Sequence, residues 1–148
     1  MFKLPITREA IANCDVTVPN HALRLMSLRA VIVDDSAEFL RVARSMLERE
    51  GITVVGSAQT GVEALRSAQE HDPDVVLLDV GLGEESGFDV AERLSQASGA
   101  RIRVILISAR SEQDLREFID ASPAIGFVPK ALLSADAITK LLDGSHSS

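Results

Sequence analysis

Three aspartates and a lysine stand where apolar runs give way to polar residues. Val31-Ile32-Val33 stops at Asp34-Asp35, Val75-Val76-Leu77-Leu78 stops at Asp79, and Gly126-Phe127-Val128-Pro129 is followed by Lys130. Ile105-Leu106-Ile107 leads in the same way to Ser108. Carboxylates gathered without a counter-ion repel one another, and at least one is driven toward protonation. A hard divalent cation relieves that repulsion, and Mg²⁺ takes one or two carboxylates, several waters and phosphate oxygens. A carboxylate is also a nucleophile toward phosphorus and forms an aspartyl phosphate. A metal ion together with a lysine would neutralise the moving phosphoryl group, and a serine hydroxyl can bond one of its oxygens. Each residue also has a duller reading. Asp35 could cap a following helix, Asp79 could open a turn, and Lys130 could be a solvated surface lysine. Only their conjunction on one edge, in this order, favours phosphoryl chemistry.

That conjunction needs a scaffold which brings the ends of separate strands together. From Leu28 onward, short β-branched runs alternate with helical patterns. Strands are expected at 29–33, 52–57, 74–79, 102–107 and 125–128, and helices at 36–50, 60–71, 86–98, 111–121 and 134–142. In the first helix Phe39, Leu40, Ala43, Met46 and Leu47 share a face, and Gly51 ends it. Thr60-Gly61-Val62-Glu63 is a capping box, and Pro73 closes the helix it opens. Alternating β-α units imply a parallel sheet with helices on both faces, and Val75–Leu78 is apolar enough to be buried on both sides. The expected fold class is α/β, a doubly wound five-stranded sheet. Of the two common arrangements the shorter, order 2-1-3-4-5, suits about 115 residues, with a ligand beyond the carboxyl ends of strands 1 and 3.

Residues 1–27 read differently. Pro5, Asn13, Asp15, Pro19 and Asn20 break every apolar patch, so this stretch is expected to be a loose N-terminal extension. The folded domain is then 28–144, with 145–148 a frayed tail. With 46% hydrophobic and 25% charged residues the chain can build a core, which excludes disorder. Its formal charge of -7 argues against a direct nucleic-acid surface. The single cysteine, Cys14, excludes an internal disulfide and a cysteine-based metal cage. No apolar run approaches a membrane span, and no secretory h-region opens the chain, so a cytoplasmic protein without membrane insertion is expected.

Four segments together make the chain resemble the receiver domain of two-component response regulators, a family with flavodoxin-like topology. They are Val31–Ser36, Val75–Asp79, Ile105–Ala109 and Gly126–Lys130. The resemblance implies that Asp79 takes phosphate from the phosphohistidine of a sensor histidine kinase or phosphotransfer protein. It implies Mg²⁺ as cofactor, held by Asp35 directly, Asp34 through water, Asp79, and the main-chain carbonyl of Gly81. Lys130 would pair with a phosphoryl oxygen and Ser108 would hydrogen-bond another. Phe127 would move with Ser108 as the switch, although an aromatic residue in a strand is also ordinary core. The readout surface toward a downstream protein would be the face of the fourth helix, fifth strand and fifth helix. A homodimer is compatible with this scheme. No activity beyond the domain's own phosphorylation and dephosphorylation is implied, either as a stand-alone receiver or as part of a longer regulator.

The loop Val80–Gly87 departs from the family's commonest form: it lacks a Met-Pro step and puts Gly81 beside the acceptor, which bears on phosphate lifetime. Glu84 and Glu85 read as a solvated loop or a local attraction for cations. Rival chemistries fit less well. An aspartyl phosphohydrolase would want a second Asp where Gly81 stands. A flavin carrier would want a Ser/Thr-Gly-rich loop in place of Asp34-Asp35-Ser36, and a P-loop nucleotidase lacks its glycine-lysine motif. A silent adaptor of the same fold would need neither Asp79 nor Lys130.

Overall fold

The computed structural model describes residues 28–99 and 101–146; the expected extension at 1–27 lies outside the described residues. Five strands, β1 (Arg29–Val33), β2 (Thr53–Ala58), β3 (Val75–Asp79), β4 (Arg103–Ser108) and β5 (Gly126–Pro129), form a parallel sheet in the order β2-β1-β3-β4-β5. This is the doubly wound arrangement expected from the alternation of elements. The central strands are buried on both faces, which is why their sequences are continuous apolar runs rather than alternating ones.

Helices α1 (Ala37–Arg49), α2 (Gly61–His71), α3 (Gly87–Ser98), α4 (Arg116–Ala121) and α5 (Ala135–His146) cover the sheet. Period-2 alternation along the strands sorts the core into two layers. Ala30, Ile32, Leu77, Ile105 and Ile107 face α1 and α5, where Ala43, Leu47, Ile138 and Leu142 complete one layer. Val31, Val33, Val76, Leu78 and Leu106 face the other way, against Ala64 and Ala68 of α2 and Val90, Ala91 and Leu94 of α3. No helix among the described residues is long and apolar enough to cross a membrane.

Local signals set most helix ends. Ser36, Thr60 and Ser86 cap α1, α2 and α3 by accepting main-chain N–H bonds from Phe39, Glu63 and Phe88. In the capping box the Glu63 carboxylate reaches the Gln59 amide instead of the cap residue's own. Gly51 follows α1 at φ 102°, a conformation that favours glycine.

Most element ends fall within one residue of expectation, and three differences have structural consequences. β4 runs one residue further, so Ser108 is the strand's last residue and pairs with Pro129 instead of opening the loop. The segment expected as one helix from Ser111 is a 3₁₀ turn, Gln113–Leu115, followed by the short α4, since Leu115 is the position drawn fully into the core. The last helix continues four residues past Leu142 to His146, through Gly144: once Ile138 and Leu142 are anchored, propagation is cheap and glycine weakens it without stopping it.

Candidate functional site

Parallel register aligns the carboxyl ends of β1, β3, β4 and β5. Val33 pairs with Leu78, Asp79 with Ile107, and Ser108 with Pro129, so the residues that follow or end these strands share one edge. Asp34, Asp35 and Asp79 each offer a carboxylate oxygen, and these oxygens lie within 4.8 Å of one another. The expected acidic constellation therefore exists in space.

Its members are not equivalent. Asp34 is fully buried: its Oδ1 accepts the Ser36 N–H at 2.8 Å, and its own N–H bonds the Ala58 carbonyl at 3.0 Å. Asp34 Oδ2 is ion-paired with the Lys130 ammonium at 2.6 Å and accepts no further hydrogen bond among the described residues. A buried carboxylate oxygen left in that state is costly unless a further cation or donor meets it. Asp35 is exposed, so its carboxylate is free to exchange water for a ligand. It does not cap α1, because Ser36 does, which removes the dull reading of the Asp-Asp pair. The donor set, all hard oxygens of mixed burial, fits Mg²⁺.

Asp79 is buried at the end of β3, with Oδ1 accepting the Gly81 N–H at 3.4 Å and Oδ2 accepting from Lys130 Nζ at 3.3 Å. Burial, and then the neighbouring Asp34 charge, push its carboxyl above the ordinary aspartate value. Lys130 and the Gly81 amide oppose this without cancelling it. For Lys130 burial disfavours the ammonium, but the two carboxylates outweigh it and hold the lysine above its usual value. Lys130 opens a 3₁₀ turn directly after β5 and reaches back across the sheet edge to β1.

Ser108 is buried, and its hydroxyl accepts the Arg110 N–H at 2.9 Å; it shares a cavity wall with Asp79, Gly81 and Lys130. Phe127 is separate from that wall. It is buried in the layer shared with Leu106 and Leu115. Gly81 is exposed, and a Cβ there would meet nothing within 4 Å, so the space beside Asp79 is open.

The loop after Asp79 is more ordered than its glycines suggest. Gly81–Leu82 and Glu85–Ser86 form a small antiparallel ladder. Glu85 is half-buried and bonded rather than fully solvated. Its Oε1 accepts the Gly61 N–H at 2.8 Å at the start of α2, and its Oε2 pairs with Arg93 at 3.4 Å. Gly87 donates to the Val80 carbonyl at 2.6 Å, and its Cα lies so close to the Asp79 main chain that a side chain would collide with the Asp79 carbonyl.

Two features escape a reading of sequence spacing. The Phe39 ring, assigned to the core face of α1, carries the Lys130 ammonium 4.5 Å from its centre. Gln59 Nε2 bonds the Asp35 main-chain carbonyl at 3.3 Å, tying β2's end to the acidic loop. Neither has a local signal, because each contact joins elements distant in the chain.

The response regulator receiver domain family matches residues 30–143. The chain is 33% identical to chemotaxis protein CheY of Bacillus subtilis over 99 residues, 67% of this chain and 80% of that protein. It is 42% identical to transcriptional regulatory protein KdpE of Mycobacterium tuberculosis over 92 residues, 62% of this chain and 39% of that one. A protein-glutamate methylesterase/protein-glutamine glutaminase of Alkalilimnicola ehrlichii is 36% identical over 108 residues, 71% of this chain. The chain spans only 27% of that esterase, and 56% of a putative transcriptional regulator of Pseudomonas aeruginosa. Among solved structures, the signal receiver domain of the putative response regulator NarL from Mycobacterium tuberculosis superposes with a TM-score of 0.65 at 31% identity, covering 82% of this chain and 98% of that one. A LuxR-family response regulator from Aurantimonas gives 0.71 at 28% identity, covering 79% and 86%.

Proposed function

The chain belongs to the receiver-domain family of two-component response regulators, and on that premise we propose that it is a phosphoacceptor switch whose acceptor is Asp79. The observation that carries the reading is the convergence of Asp34, Asp35 and Asp79 within 4.8 Å, with the Lys130 ammonium 2.6 Å from Asp34 and 3.3 Å from Asp79. Mg²⁺ held by Asp34, Asp35, Asp79 and the Gly81 carbonyl would supply charge neutralisation for the phosphoryl oxygens.

The chain's own residues do the rest. Asp79 offers a carboxylate oxygen to phosphorus as the donor's P–N bond breaks. Lys130 holds a positive charge beside that oxygen before the phosphoryl group arrives, so the charge is preorganised. Ser108, already on the cavity wall, exchanges its bond from the Arg110 amide for one to a phosphoryl oxygen. Phe127 then repacks with Ser108 and passes the change to the face of α4, β5 and α5.

The donor is the phosphohistidine of a sensor histidine kinase or phosphotransfer protein. The target is a protein that contacts the α4-β5-α5 face, with self-association into a homodimer compatible with it. The setting is cytoplasmic, there is no direct nucleic-acid contact, and the domain catalyses only its own phosphorylation and dephosphorylation. Residues 28–144 carry this switch. Incubation with Mg²⁺ and a small phosphodonor, followed by intact mass, tests the reading. Wild type gains one phosphoryl group and Asp79→Asn gains none; an Asn variant that still gains it overturns the assignment.

A further inference from the structure

The cavity beside Asp79 is larger than a phosphoryl group requires. At about 590 Å³ it falls within the range of small-molecule sites, and beyond Asp79 and Lys130 its walls include Phe88, Ala109, Leu115 and Phe118. Phe88 from α3 and Phe118 from α4 stack across it, with ring centroids 5.5 Å apart and planes at 30°. Phe118 is nevertheless 59% exposed, so one face of the pair stays open to a ligand. The pair therefore presents an aromatic shelf that opens directly onto the proposed nucleophile.

We propose that Phe118, stacked on Phe88, determines donor specificity by receiving the imidazole ring that leaves phosphorus. The inference rests on the phosphoacceptor reading of Asp79. In an in-line transfer the leaving nitrogen departs on the side of phosphorus opposite the Asp79 oxygen, and the cavity extends outward from Asp79 to Phe88 and Phe118. In the transfer, an Asp79 oxygen forms the O–P bond as the P–N bond breaks. The ring nitrogen keeps the bonding pair, and imidazole departs neutral when its other nitrogen carries the proton. A planar ring gains contact with an aromatic face, more so while it bears positive charge. Asp89 also lines the cavity and offers an acceptor to a ring N–H. A carboxylate leaving group gains nothing from the shelf and is repelled by Asp89.

The test compares phosphoimidazole with acetyl phosphate on the full chain with Mg²⁺, reading the rate of phosphoryl mass gain for wild type, Phe118→Ala and Phe118→Tyr. Phe118→Ala slows transfer from phosphoimidazole roughly three- to tenfold while the acetyl phosphate rate stays within about twofold. Phe118→Tyr keeps the wild-type ratio between donors. Because Phe118 is largely exposed, its truncation leaves the fold intact, and thermal unfolding of each variant verifies this. Equal slowing with both donors, or no slowing with either, overturns the shelf alone. Failure of wild type to gain mass from either donor overturns the phosphoacceptor reading and this inference with it.

Discussion

The Lys130 ammonium stands 2.6 Å from the Asp34 carboxylate, joining the turn after the last strand to the end of the first. Asp34 is wholly buried and Lys130 only partly so, which makes the carboxylate the dependent partner. Removing one member of such a pair strands the other in a medium that cannot solvate it. The pair thus holds the acidic edge together in the absence of metal, and four expectations follow from the surrounding geometry.

Lys130→Ala is expected to destabilise the metal-free domain by about 2–4 kcal/mol, since it leaves Asp34 Oδ2 without a counter-charge. Added Mg²⁺ recovers part of the loss, because a cation at the acidic cluster takes over some of the neutralisation. Urea unfolding with and without Mg²⁺ measures both effects. An unchanged midpoint for the metal-free variant would show that the pair contributes nothing.

Asp79→Asn is expected to stabilise the metal-free fold at neutral pH. The Asp79 carboxyl is raised, so folding favours its protonated form. Its contribution to stability is present at low pH and is lost as pH rises from the ordinary value of 3.8 through the raised one. Wild type should therefore fall behind the Asn variant across that window, and the gap should then stay constant toward neutrality. Parallel unfolding curves at all pH values would contradict the shift.

Mg²⁺ is expected to raise the melting temperature of the wild type, with saturation at about 100 Kd contributing about 2.7 kcal/mol. Asp35 is exposed, so Asp35→Asn should cost the metal-free fold little yet remove most of the Mg²⁺ response. Chelation with EDTA should return wild type to the metal-free curve. A full Mg²⁺ response in Asp35→Asn would take that residue out of the ligand set.

Gly87→Ala and Gly81→Ala should part company. A Cβ at Gly87 runs into the Asp79 carbonyl and the Val80 Cα, which are main-chain atoms that cannot rotate away, and a loss of about 2 kcal/mol or more is expected. A Cβ at Gly81 meets open space and should leave stability within about 0.5 kcal/mol. Because the Gly87 collision is with the backbone of Asp79, the proposed acceptor, its variant should also slow phosphorylation. Equal melting temperatures for the two variants would refute the steric argument.

Much of this architecture is legible along the chain. Continuous apolar runs ending at Asp34, Asp79 and Ser108 name the strands and the edge they share, and Ser36, Thr60 and Ser86 mark helix starts. These signals are local: a short apolar run or a capping hydroxyl acts on residues within a few positions, so the sequence itself carries them. The tertiary structure decided what depends on the relative placement of whole elements. Only there does Lys130 come to stand nearer Asp34 than Asp79, Glu85 accept the Gly61 N–H, and Phe88 meet Phe118 across the mouth of the cavity. Partner choice among several polar groups within reach is set by distance and burial, and neither is a property of spacing along the chain.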